Sequence, residues 1–153
     1  MTIHFFTKQE TKDILSELKE QFGIESIEGT IARIGQERLF LFRGSLTEKQ
    51  IQEMEEEIVI ERIGVYFAKE QHDGIRLSIE GAHLLKEQIT KNIFEINDEQ
   101  VESWMKGQEL NVSTGKNGFF IIKNNNDLLG TGKASENKIT NFIPKNRRLR
   151  ERS

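Results

Sequence analysis

The stretch Leu128 to Arg148, LLGTGKASENKITNFIPKNRR, constrains the fold of this chain more than any other. Leu128 and Leu129 run into Gly130, Thr131 and Gly132, so a short apolar strand meets two positions that carry no Cβ. Glycine in such a place either turns the chain or lets another group come close. The spacing predicts a Gly-x-Gly hairpin with Lys133 beside it. After the polar run from Ala134 to Lys138, Ile139, Asn141, Phe142 and Ile143 make a second β-prone run. Pro144, the one proline of the sequence, stops it by removing a ladder donor and fixing φ.

Beyond Pro144 the charge changes sign. The chain as a whole has a net charge of -3, yet from Lys133 onward it holds 7 basic residues against 2 acidic ones. Residues 1–94 hold 12 Lys and Arg against 17 Asp and Glu. An acidic first part joined to a basic end implies one directed electrostatic face. Lys133, Lys138, Asn141, Lys145, Arg147 and Arg148 together offer many donors and few acceptors, which suits phosphate oxygens. The bland alternative is a solvated basic tail, to which Arg150 and Arg152 would belong.

A chain of 153 residues can bury a core without metal or disulfide support, and the sequence has no cysteine. That removes a thiol nucleophile and a cysteine zinc site, and it fits a reducing compartment. No apolar run is long enough for a membrane span and no signal-peptide pattern is present, so a soluble cytoplasmic protein with no membrane partner is expected. His4, His72 and His83 lack metal-ligand spacing. Gly130 to Lys133 has too few residues between its glycines for a phosphate loop, and no Gly-x-Gly-x-x-Gly is present. No catalytic residue, metal or cofactor is therefore expected.

Read in order, Thr7 with Glu10 forms a capping box, and Ile14, Leu15, Leu18 and Phe22 follow at helical spacing until Gly23, which predicts a helix over 8–22. The runs 27–34 and 38–43, joined at Gly35 and Gln36, predict a hairpin. Thr47 to Glu57 reads as a helix, and Glu53, Glu55, Glu56 and Glu57 as its solvated face. The run 58–67 suggests a buried strand, and Ile75 to Ile79 a further strand after a turn at His72-Asp73-Gly74, with a short helix over about 81–88 following. Asn97 or Asp98 caps a helix carrying Val101, Trp104 and Met105, which Gly107 ends. Trp104, in step with Val101, reads as core rather than as a base-stacking ring. Gly118 to Lys123, the turn-rich Asn124 to Asp127 and the stretch beyond suggest successive antiparallel strands of a small barrel.

Leu129-Gly130-Thr131-Gly132-Lys133, Ile139-Thr140-Asn141, Ile143-Pro144-Lys145 and Arg147-Arg148 resemble, in order, the signature of a known module. It is the PUA-like RNA-binding domain of the Fmu/Sun (Nol/Nop) family of rRNA cytosine-5 methyltransferases. The segment Gln100 to Leu110 resembles the helix, aromatic, Gly, Glu, Leu pattern of the same family, and Thr131 stands where that family usually has Trp. The order of an α/β unit before a PUA domain is also similar, more weakly, to Nip-type ribosome-assembly factors.

The resemblance implies an α+β protein with an N-terminal mixed α/β unit over 1–92 packed on a C-terminal PUA-like β-barrel over 93–153. It implies a free-standing, non-catalytic protein of ribosome biogenesis or rRNA modification that binds structured RNA, rRNA above all. An rRNA methyltransferase or a pre-ribosomal particle would be its wider context. In this reading Lys133 and Lys138 contact phosphate, Asn141 meets a base edge or sugar, and Lys145, Arg147 and Arg148 track the backbone. Gly130 and Gly132 let RNA or a neighbouring strand approach, while Gly107 and Pro144 shape the chain. A protein-binding adaptor that docks through the acidic part is the second reading. A nucleotide-acting enzyme is the third.

Overall fold

The computed structural model describes residues 3–42 and 64–149. The helix expected over 47–57, its glutamate run, most of the strand expected over 58–67, and Arg150 and Arg152 lie outside the described residues. The chain divides into two compact units, Met1–Ile89 and Thr90–Ser153. The division falls slightly before the boundary expected from the sequence. Asn92 sides with the second unit, its carbonyl accepting the Ile121 N–H at 2.8 Å.

The N-terminal unit is a five-stranded sheet in sequence order: β1 (Ile3–Phe5), β2 (Thr30–Ile34), β3 (Arg38–Phe42), β4 (Gly64–Gln71) and β5 (Gly74–Leu77), each antiparallel to the next. Helix α1 (Lys8–Phe22) is inserted between β1 and β2. Its start follows local chemistry, since the Thr7 side chain accepts from the Glu10 N–H and the Glu10 carboxylate accepts from the Thr7 N–H. Gly23 ends it in the left-handed region at φ +83°. Ile14, Leu18 and Phe22 form its buried stripe. Gln21 serves the free edge of β5, donating to the Ile75 carbonyl at 2.6 Å and accepting the Ile75 N–H at 2.9 Å. Strand β1, too short to show a pattern, is an element of this unit that the sequence did not announce.

Helix α2 (Ile79–Leu84) begins at Ser78, whose hydroxyl oxygen accepts from the Gly81 N–H and whose O–H donates to the Tyr66 carbonyl at 2.7 Å. A short 3-10 turn, Lys86–Gln88, follows it. Strand β4 carries one residue more than β3 near Phe67, because Leu39 pairs with Ala68 while Phe40 pairs with Tyr66.

The C-terminal unit is a four-stranded sheet, β6 (Ile93–Glu95), β7 (Gly118–Asn124), β8 (Asp127–Ser135) and β9 (Lys138–Asn141), in that order. Helix α3 (Asp98–Met105) starts at Asn97 with a second capping box through Gln100. Trp104, Ile121, Ile122 and Ile139 are buried. No closed barrel is found among the described residues, where the four strands form one sheet in sequence order. Strand β6 has three residues and runs parallel to β7, so the strands are not all antiparallel. The outer edge of β9 is covered instead by an irregular segment. Leu110 exchanges both backbone hydrogen bonds with Ile139, and the Thr114 N–H donates to the Glu136 carbonyl.

Candidate nucleic-acid interface

Strand β8 sets the geometry of the basic stretch. Lys123 of β7 pairs with Leu128 and Ile121 pairs with Thr131, so Leu129 and Gly130 share the place opposite Ile122. That is a β-bulge, and Gly130 takes its positive φ, +92°. Gly130 and Gly132 thus lie inside a strand, which corrects the expected Gly-x-Gly hairpin; the turns fall at Asn125-Asn126 and Glu136-Asn137. The bulge offers its Leu129 carbonyl to the indole N–H of Trp104 at 2.7 Å. A Cβ on Gly132 would stand 2.4 Å from Ile139 Cγ2 and 2.9 Å from Trp104 Cη2. The groups that approach Gly132 are therefore side chains of the same unit, Ile139 and Trp104, and the tryptophan is fully buried, as its helical spacing indicated.

Pairing then sorts the basic residues by face. Lys133 pairs with Phe119 of β7 and with Thr140 of β9, and Ser135 pairs with Lys138, so Lys133 and Lys138 are diagonal neighbours on one face of the β8–β9 hairpin. Both are exposed. The Lys133 ammonium lies 5.6 Å from the centroid of the Phe119 ring, and Phe142 stands beside Phe119 with centroids 6.2 Å apart. Lys138 reaches Glu109 at 3.5 Å, a pair with both partners about half exposed. Such a pair is weak and screened, so a phosphate can take the place of the carboxylate.

Asn141 pairs with Gly132 and falls on the opposite face, toward Trp104. Its Nδ2 donates to the Trp104 carbonyl at 2.7 Å and to the Gln108 carbonyl at 3.2 Å, while its Oδ1 accepts the Ile143 N–H at 2.8 Å. Both amide hydrogens are committed inside the fold, and the side chain acts there as a remote cap on α3.

The last four carbonyls of α3 all find partners. Glu102 accepts from Lys106 N–H, Ser103 from Gln108 N–H, Trp104 from Gly107 N–H as well as Asn141, and Met105 from Leu149 N–H at 2.8 Å. The chain after Pro144 is consequently tied back to this helix through Leu149. Lys145–Arg147 form a 3-10 turn, with Lys145 and Arg147 exposed. Arg148 is half-buried, and its Nε donates to the Ile143 carbonyl at 2.9 Å.

The expected residues therefore fall into two groups. Lys133 and Lys138 share the hairpin face; Gly107, Asn141 and Arg148 gather at the C-terminal end of α3, where the turn after Pro144 delivers the basic run. Sequence reasoning did not find Phe119 and Phe142 beside the lysines, although both lie in β-prone runs, nor the contact between Gly107 and Arg148. Among the described residues no group of His, Cys, Asp or Glu is placed to hold a metal ion. No helix among them is long and apolar enough to cross a membrane.

Residues 91–149 match the family model described as the methyltransferase RsmF PUA domain. Over 146 residues the chain is 25% identical to the ribosomal RNA small subunit methyltransferase F of Vibrio campbellii, and over 145 residues it is 23% identical to that of Psychromonas ingrahamii. Each match takes in 91% of this chain and 29% of the relative's length. The C-terminal unit, with its bulged strand and its tryptophan seated on glycine, is the part of the chain whose family likeness is to the RsmF PUA domain.

Proposed function

We propose that the C-terminal unit binds RNA, without catalysing a reaction on it, through Lys133 and Lys138 on the β8–β9 hairpin and Lys145, Arg147 and Arg148 after Pro144. The observation that carries the reading is the placement of Lys133 and Lys138 on one exposed face within the segment similar to a PUA domain. Asn141 positions α3 in this reading rather than contacting the ligand. The relatives are named for small-subunit rRNA, so structured rRNA met during ribosome assembly or modification is the ligand class.

Titration of a structured small-subunit rRNA fragment at increasing salt tests this. Neutralising about 4 to 6 phosphates through single-stranded contacts gives a slope of log K against log salt of roughly -3 to -4. Binding at low salt with such a slope supports the reading. A flat response, or no binding at low salt, overturns it.

A further inference from the structure

Gly107 is usually read as a helix stop, and its φ of +88° fits that role. Its surroundings ask for more. A Cβ at this position would lie 2.3 Å from Arg148 Nε, 2.5 Å from its Cδ and 2.7 Å from its Cζ. The head of the Arg148 side chain thus rests against the glycine backbone at a distance that a Cβ would not allow unless the guanidinium moved away. Two further ties fix it: Nε donates to the Ile143 carbonyl, and the next backbone N–H, of Leu149, donates to Met105.

These ties use one edge of the guanidinium and leave the other. Once Nε is engaged, Nη1 and Nη2 remain as a pair of parallel donors. Neither hydrogen-bonds to a described residue, and neither is a buried unpaired atom, because Arg33 Nε alone has that status among the described residues. The Nη edge therefore keeps access to solvent, with its plane set by the Nε bond. A planar fork of this kind matches two non-bridging oxygens of a phosphodiester, and ordering it beforehand lowers the entropy cost of the contact. Attraction to the carbonyl end of α3 accounts for a positive charge here. It does not account for the glycine seat or for the set plane of that edge.

We infer that Arg148 is a pre-set phosphate fork for the RNA backbone, and that Gly107 is the positioning residue that seats it. This deepens the RNA-binding reading and rests on it. Lys145 and Arg147, exposed in the preceding turn, add positive charge beside it.

The test compares matched substitutions on the full chain, using a structured small-subunit rRNA fragment. Arg148→Lys keeps the charge and loses the fork, and it should weaken binding about tenfold with the salt slope unchanged. Arg147→Lys, which keeps the charge that Arg147 supplies, should weaken binding less than Arg148→Lys does. Gly107→Ala should weaken binding as Arg148→Lys does, and the double variant should lose little more, because both act on one contact. All are compared where circular dichroism shows them folded.

A readout beyond folding comes from the side-chain nitrogen resonances of Arg148, assigned by their loss in Arg148→Lys, which should shift when RNA is added to the parent. Equal losses from Arg147→Lys and Arg148→Lys, or Arg148 resonances that RNA leaves unmoved, overturn the inference while the RNA-binding reading stands. A parent that binds no RNA overturns both.

Discussion

Each unit docks a helix onto a bulged strand, and the two remove the obstructing Cβ from opposite partners. In the N-terminal unit the helix yields. A Cβ on Gly81 of α2 would stand 2.0 Å from the Phe67 carbonyl oxygen of β4, the same oxygen that accepts the Ser78 N–H. In the C-terminal unit the strand yields, and Gly132 of β8 makes room for Trp104 of α3. Both bulges place a carbonyl where a group from the helix side can use it, Tyr66 for the Ser78 hydroxyl and Leu129 for the indole. The obstacles differ in kind. Gly81 faces backbone, which cannot move without breaking the sheet, whereas the two atoms nearest Gly132 belong to buried side chains, whose repacking costs less than moving a strand, with the Thr140 carbonyl oxygen beyond them at 3.1 Å.

That difference predicts the largest effect. Gly81→Ala should cost about 3 kcal/mol or more despite the better helix propensity of alanine, and Gly132→Ala about 1 to 2 kcal/mol, as read by denaturant unfolding of each variant. Equal losses would break the comparison. Trp104→Phe sharpens it. The substitution removes the donor to Leu129, at about 1 to 3 kcal/mol, and also the Cη2 atom that meets Gly132. In that background Gly132→Ala should cost about 1 kcal/mol less than in the parent, a coupling that a double-mutant cycle reads directly.

The same contrast extends to the cations. Arg33 of the N-terminal unit is paired with Glu70 and lies 4.9 Å from the Phe6 ring centroid, whereas Lys133 lies exposed over Phe119. Arg33→Gln should lower stability by about 1 kcal/mol and leave RNA affinity unchanged. Lys133→Gln should leave stability within about 0.5 kcal/mol and reduce the salt slope of RNA binding by about 0.7. Reversed outcomes would move the RNA face to the other unit.

The smallest effect concerns an acid. Burial first, then the charges of Glu70, Asp13 and Glu20, hold the Glu17 carboxyl above its usual pKa. Its ionised form is therefore less favourable folded than unfolded, a penalty present above the raised pKa and absent below the ordinary glutamate value. Glu17→Gln should raise Tm slightly at pH 7, and the difference should vanish as pH falls below about 4. A difference that persists in acid would mean a packing effect instead.

Legibility in the sequence tracked the range of the interaction. The capping box at Thr7 and the cap at the start of α3 were readable because donor and acceptor sit in one short window, while the second box, Asn97 with Gln100, emerged only in the structure. Asn97 stood beside Asp98 as an equal candidate until geometry chose it. The glycines of β8 announced a close approach, but one partner of Gly132, Trp104, lies far upstream and only folding brings it there. Asn141 looked like a polar residue available to a ligand because nothing local shows that Trp104, Gln108 and Ile143 claim its amide. The parallel pairing of β6 was hidden for a similar reason: alternation marks strands, while the partner of a three-residue strand depends on the whole unit.

The bulge at Leu129 and Gly130 also gives β8 one residue of slack. Two residues stand there against one on β7, and pairing is in step on both sides. Loss of either would leave Ile121 opposite Thr131 and every later pair in phase, with Lys133 still facing outward; the cost would fall on the acceptor of the indole. Loss of Gly132 would instead turn the following side chains over and carry Lys133 to the tryptophan side. Length variation in this strand is thus tolerable at one place only, and an insertion or deletion elsewhere in it would be paid for by the charged face itself.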